Sequence, residues 1–207
     1  MKPNSCAGSE GDRSFPTMTG PAPLSEHQCL GLGSRALHQL RASLERDGGI
    51  QAASTLQEAG VAGGEGLFSA FAGWLQTAYG VMQPGDLDAT YLPDALRGFF
   101  SDFGWGNIAI SDLSPAVMAL DSEDWAEASP DQGSQYPSCH FTSGLLADFL
   151  GRLGQGSVAV MEVECRTRGD ARCRFLVGAP ESLSSLYDRM ARGLGYVEAL
   201  GKQTSAS

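Results

Sequence analysis

Residues 158–177, VAVMEVECRTRGDARCRFLV, decide the fold. Two apolar runs, 158–167 and 172–177, flank a Gly169-Asp170 pair, and turn-forming residues between two such runs mark a β-hairpin. Strands joined by a short turn are antiparallel. Working upstream, Asn107-Ile108-Ala109-Ile110 and Ala116-Val117-Met118-Ala119-Leu120 read as a second strand pair, with its turn in Ser111 to Pro115. Helical spacing fills much of the remainder. Leu37, Leu40 and Leu44 form one apolar stripe, ended by Asp47-Gly48-Gly49, and a short helix over 50–59 is ended by Gly60. Further helices are predicted over 65–79 (Leu67, Phe68, Phe71, Trp74, Leu75) and over 91–103 (Leu92, Leu96, Phe99, Phe100, Phe103). Another covers 139–153 (Leu145, Leu146, Phe149, Leu150, Leu153), and a last one starts at Pro180, where proline suits a first turn. This order predicts an α+β fold with helices packed on an antiparallel sheet, not a doubly wound parallel sheet. Residues 1–24, which include Pro3, Pro16, Pro21 and Pro23, read as a disordered tail. Residues 25–196 then make one domain, and 197–207 a C-terminal tail.

The 207 residues are 42% hydrophobic, enough for a core of one domain. A formal net charge of −10 opposes nucleic acid or an anionic membrane as partner, since both need a basic footprint. No run approaches the roughly 18 apolar residues of a membrane span. The first residues show no apolar segment after Lys2, so the expected address is the cytoplasm. In that compartment five cysteines (Cys6, Cys29, Cys139, Cys165, Cys173) argue against a disulfide framework.

Catalytic signatures are weak. Gly31-Leu-Gly33 and the glycines from Gly60 to Gly66 neither follow a strand nor precede a Lys-Ser/Thr pair, so they read as helix boundaries rather than phosphate cradles. No Gly-x-Ser-x-Gly elbow is present, and the histidines are His27, His38 and His140. The run Asp121-Ser-Glu123-Asp124-Trp125-Ala-Glu127 reads as a solvated acidic loop, because nothing nearby in sequence would bury or tune its carboxylates.

The informative cluster is Cys139-His140, Glu162-Val-Glu164-Cys165 and Cys173. The hairpin turn brings Cys165 to Cys173, and Cys139 opens the helix that feeds the hairpin. Thiolates are good zinc ligands, and a carboxylate can complete a tetrahedron. A cross-strand disulfide, inert core thiols and a redox sensor are the competing readings of the same spacing.

The stretches YPSCHFTSG (136–144) and VECRTRGDARCRF (163–175) resemble the signature of the 4-vinyl-reductase domain. That domain is similar to subunits of the TRAPP trafficking complex and to the sensor modules of phenol-responsive bacterial activators. The likeness is specific over about 136–192 and rests on helix order over 30–135. In the sensor branch zinc is held in the order Cys, Glu, Cys, Cys, which the resemblance places on Cys139, Glu162, Cys165 and Cys173. Four protein ligands close the coordination sphere, so the implied zinc is structural. On an ideal strand Glu162 and Glu164 point one way and Cys165 the other. A bulge must therefore reorient one of them, leaving Glu164, or His140, as the alternative fourth ligand.

The aromatics between 99 and 141 fill a core on the plainest reading. The resembling proteins enclose an apolar small molecule or a fatty acyl chain, and Trp105, Met118, Trp125 and Phe141 are the corresponding pocket candidates here. The phenol sensors set a histidine against the hydroxyl, and none lies between His38 and His140. The family name implies vinyl reduction in bacteriochlorophyll synthesis, yet no nicotinamide or flavin fingerprint is visible. No catalytic or cofactor-binding residue is therefore assigned. The expected function is a non-catalytic, zinc-stabilised domain binding a small hydrophobic ligand as sensor or carrier, as a homodimer or complex subunit. The alternatives are a bacteriochlorophyll-pathway reductase or accessory factor, and a scaffold subunit of a larger complex.

Overall fold

The computed structural model describes residues 29–201. The tail expected over 1–24, with Cys6, lies outside the described residues, as do 202–207. Helices α1 (Ser34–Gly48) and α2 (Gln51–Tyr79) lead, through 3-10 turns at Pro84–Asp86 and Ala89–Tyr91, into α3 (Leu92–Asp102). Strands β1 (Ala109–Ser114) and β2 (Val117–Ser122) precede α4 (His140–Leu153), and β3 (Ala159–Glu164) and β4 (Cys173–Gly178) follow it. A 3-10 turn, Arg166–Arg168, links β3 to β4, and helices α5 (Pro180–Ala191) and α6 (Tyr196–Gly201) close the described chain. The strands form one sheet in the order β1-β2-β4-β3, antiparallel at every pairing. The fold is α+β, as the sequence predicts.

Strand alternation sorts two cores onto the two faces of the sheet. On one face Phe175 and its partner Leu120 pack with Phe71, Phe99, Phe100, Trp125 and Phe149 beneath α2, α3 and α4. On the other face Leu176 and its partner Ala119 pack with Val163, Leu183 and Leu186 beneath α5 and α6. The C-terminal tail begins later than expected, because α6 carries Ala199 and Leu200 into that second core. On α1 the buried positions are Leu37 and Arg41, whereas Leu40 faces solvent.

The helix expected to end at Gly60 does not end there. α2 runs unbroken through Gly60 and Gly64 because these glycines lie where α4 crosses. A Cβ on Gly60 would run into the Phe141 carbonyl oxygen, and one on Gly144 into that of Gln57. The glycines thus bring two backbones together rather than break a helix. A true break is Gly49, whose φ of +53° separates α1 from α2. Among the described residues no helix is long and apolar enough to cross a membrane.

Candidate metal centre

The hairpin, the start of α4 and the loop between β2 and α4 converge at one end of the sheet. After Glu164 the chain curls through Arg166–Arg168, and Gly169, at φ +101°, completes the turn. The Cys165 carbonyl accepts the N–H groups of Arg168 (2.9 Å) and Asp170 (3.2 Å). The Cys165 N–H donates to Asp170 Oδ2 at 2.7 Å. This knuckle holds Cys165 beside Cys173, which opens β4.

A bulge settles the strand-facing problem. The pairing of β3 with β4 shifts between Glu162, opposite Phe175, and Glu164, opposite Arg174. One extra residue, Val163, therefore reverses the alternation. Glu162 and Cys165 come to face α4, whereas Glu164 faces α6. There Glu164 accepts hydrogen bonds from Arg172 Nε (2.8 Å) and from the Tyr196 hydroxyl.

Cys139 is the residue before α4. Its N–H donates to Glu162 Oε2 at 2.8 Å, and its Sγ lies 3.9 Å from both Cys165 Sγ and Cys173 Sγ. The ligand atoms of Cys139, Glu162, Cys165 and Cys173 all lie within 4.8 Å of one another. The three thiols have no solvent exposure, and Glu162 Oε1 is buried without a hydrogen-bond partner. A tetrahedral ion with metal–sulfur bonds of about 2.3 Å sets its sulfurs about 3.8 Å apart, close to the spacing found. A disulfide needs about 2.05 Å, and all three thiols are free. The cluster can hold a metal ion, and its donor set of three soft thiolates and one carboxylate suits zinc.

The electrostatics follow from burial. Burial pushes the Glu162 carboxyl up to about 8, with the adjacent Cys165 thiolate adding to the effect. Hydrogen bonds from Cys139, then Cys173, hold the Cys165 thiol far below the usual thiol range. The same contacts, to Cys165 first, hold Cys139 well above it. His140 is half-buried and lies outside the four-residue cluster; burial, then the Arg41 guanidinium, holds its imidazole below the ordinary range.

One carboxylate in this region carries no sequence signal that singled it out. Glu127, expected in a solvated loop, is fully buried. Its Oε1 accepts the Phe141 N–H at 3.1 Å, and its Oε2 accepts the Thr142 N–H at 2.7 Å and the Thr142 hydroxyl at 2.5 Å. It serves the orphan donors of the first turn of α4, where a negative group is favoured. Burial pushes its carboxyl up to about 7 despite those bonds. Asp121 of the same run is ion-paired with Arg174 at 2.6 Å.

The pocket candidates divide. Trp125 is buried, donates Nε1–H to Thr142 Oγ1 at 2.7 Å, and stacks 5.5 Å from half-exposed Trp105. Trp105 in turn lies parallel to Phe141 at 6.3 Å. Met118 is not with them. It lies near the opposite end of the sheet from the thiols, 39% exposed, in an open groove of about 590 Å³ lined also by Pro115, Val158 and Val177.

Comparison with known proteins places this architecture in a defined class. Residues 120–179 match the vinyl-4-reductase domain family. The chain is 29% identical over 82 residues to the uncharacterized protein MJ0745 of Methanocaldococcus jannaschii, covering 40% of this chain and 44% of that protein. The chain thus spans under half of that relative's length. The fold resembles the phenol-responsive sensory domain of the transcription activator PoxR, solved with phenol. That likeness has a TM-score of 0.57 and 18% identity, over 79% of this chain and 82% of the other. It also resembles trafficking protein particle complex subunit 3 of Naegleria fowleri, covalently bound to palmitic acid. There the TM-score is 0.54 and the identity 15%, over 70% of this chain and 91% of the other.

Proposed function

We propose that this protein is a non-catalytic domain, stabilised by a structural zinc ion, that binds a small hydrophobic ligand as a sensor or carrier. The observation that carries the metal half is the buried convergence of Cys139, Glu162, Cys165 and Cys173, with Glu162 Oε1 left without a partner. Four protein donors leave no position for water or substrate, which suits a structural ion. Bound there, the ion would pin the start of α4 to the hairpin. The ligand half draws on fold likeness, since one protein of this architecture was solved with phenol and another with palmitic acid. In this chain the half-exposed rings of Trp105 and Phe141, beside buried Trp125, offer an apolar surface suited to such a ligand.

Native mass spectrometry of protein purified without chelator tests the metal: one zinc per chain is expected, and a metal-free, fully folded chain overturns it. Organic extraction of the same preparation tests the ligand. An arene or acyl chain supports the sensor or carrier reading. A tetrapyrrole would favour a pigment-pathway role, and an empty extract a scaffold role.

A further inference from the structure

Arg41 is a buried guanidinium on α1, outside the segment that matches the domain family. It is 1% exposed, and burying a charge is costly unless something opposite compensates it. Its partners are neutral or distant. Nη1 donates to the Glu127 backbone carbonyl at 3.0 Å and to Ser138 Oγ at 3.3 Å, and Nη2 donates to Gln132 Oε1 at 2.9 Å. Nε has no hydrogen bond, and the nearest paired carboxylate is Glu45 at 3.6 Å, whose side chain is 41% exposed. The Glu127 carboxylate is occupied by the first turn of α4.

Ser138 stands between this charge and the thiols. It is 3% exposed, and its Oγ lies 3.7 Å from Cys165 Sγ. A guanidinium only donates, so the Ser138 oxygen is the acceptor in the pair with Arg41. Its single hydroxyl proton then needs an acceptor, and Cys165 Sγ is the one in reach; any other arrangement buries an unpaired O–H.

We propose that Arg41 and Ser138 are positioning residues of the metal centre. Arg41 fixes the Ser138 hydroxyl as a donor to Cys165 Sγ, and the buried guanidinium offsets the negative charge of the liganded cluster. This rests on reading the cluster as a metal site. Three thiolates and one carboxylate around a divalent ion leave a net charge of about −2 in a buried position, and outer partners of that kind orient ligands and tune affinity. The other cations nearby are already paired: Arg168 with Asp170, Arg172 with Glu164, and Arg174 with Asp121.

Cobalt(II) added to the metal-depleted full-length chain tests this, because cobalt–thiolate absorption reports electron density on sulfur. In Ser138→Ala and Arg41→Met the thiolate-to-cobalt band should move to longer wavelength, and cobalt should pass to a competing chelator about 10–100-fold faster. Arg41→Lys keeps the charge and should recover most of both properties. If Ser138→Ala and Arg41→Met melt earlier but keep the wild-type band and transfer rate, the two residues are merely structural and the proposal fails. A wild-type chain that shows no cobalt–thiolate band fails differently, removing the metal reading itself.

Discussion

Glu162 and Glu164 stand two positions apart on β3, yet their carboxylates lie on opposite faces of the sheet. Glu162 accepts the Cys139 N–H at the thiol cluster, and Glu164 binds Arg172 and the Tyr196 hydroxyl under α6. The bulge at Val163 produces this division, giving two like residues separate work. Glu162→Gln should therefore weaken metal retention at least about 100-fold, taking the effect of outer-shell changes as a floor. Glu164→Gln should leave metal stoichiometry unchanged and cost about 1–2 kcal/mol, through weaker bonds to Arg172 and Tyr196. Native mass spectrometry and urea melts on both variants check this, and equal metal loss in the two would contradict it.

Cys173→Ser should be more severe. Removing one thiolate leaves the other buried donors of the cluster without a complete sphere, and metal-dependent stability disappears with the ion. A loss of about 4 kcal/mol or more is expected for a lost metal site. That corresponds to a fall in Tm of about 10 °C for a chain of this size. The chelator-treated wild type should melt close to the variant, and calorimetry of the two side by side provides the comparison.

The crossing of α2 and α4 predicts intolerance to a single methyl group. A Cβ at Gly144 runs into the Gln57 carbonyl oxygen, a backbone atom that cannot rotate away. Gly144→Ala should cost about 1–3 kcal/mol through overpacking, although alanine is the better helix former by about 1 kcal/mol. Gly48→Ala, where the nearest atom is Ala52 Cβ at 3.8 Å, should be neutral or mildly stabilising. Thermal melts of the two variants should diverge in sign or by at least about 1 kcal/mol.

Glu127 predicts a pH dependence of definite sign. Its carboxyl is raised from 4.5 to about 7 in the folded chain. A raised value means that its protonated form is favoured by folding. The contribution is complete below about 4.5 and lost as pH climbs through about 7. The displacement corresponds to about 3 kcal/mol. The stability difference between wild type and Glu127→Gln should thus move against the wild type by roughly that amount between about pH 4.5 and 7.5, and chemical denaturation at each pH measures it. A flat difference would show that the bonds from Phe141 and Thr142 keep the carboxylate ionised.

Legibility in the sequence followed the range of the interaction. The hairpin, α4 and α5 could be read because apolar spacing, Gly169 and Pro180 act within a few residues. The four clustered donors were approached the same way, since three of them lie on one hairpin and the fourth opens the helix before it. Gly60 misled because a glycine selected for close helix crossing looks, in one dimension, like a helix stop. Glu127 looked solvated among acidic neighbours because its partners, Phe141 and Thr142, lie 14 and 15 residues away. Met118 was grouped with Trp105, Trp125 and Phe141 on apolar character, but the strand direction carries it towards the groove at the other end of the sheet.

The sequence by itself determined the α+β class, the hairpin, and the thiols and carboxylates available to a metal, because residue chemistry and local periodicity suffice for those. Only the tertiary structure decided which carboxylate meets the thiols, since a one-residue bulge at Val163 inverts the facing of everything after it. The tertiary structure also set Arg41 behind Ser138 and Cys165. That contact bridges 97 and then 27 residues of chain, and its cost in buried charge becomes visible only once the helix, loop and hairpin are packed together.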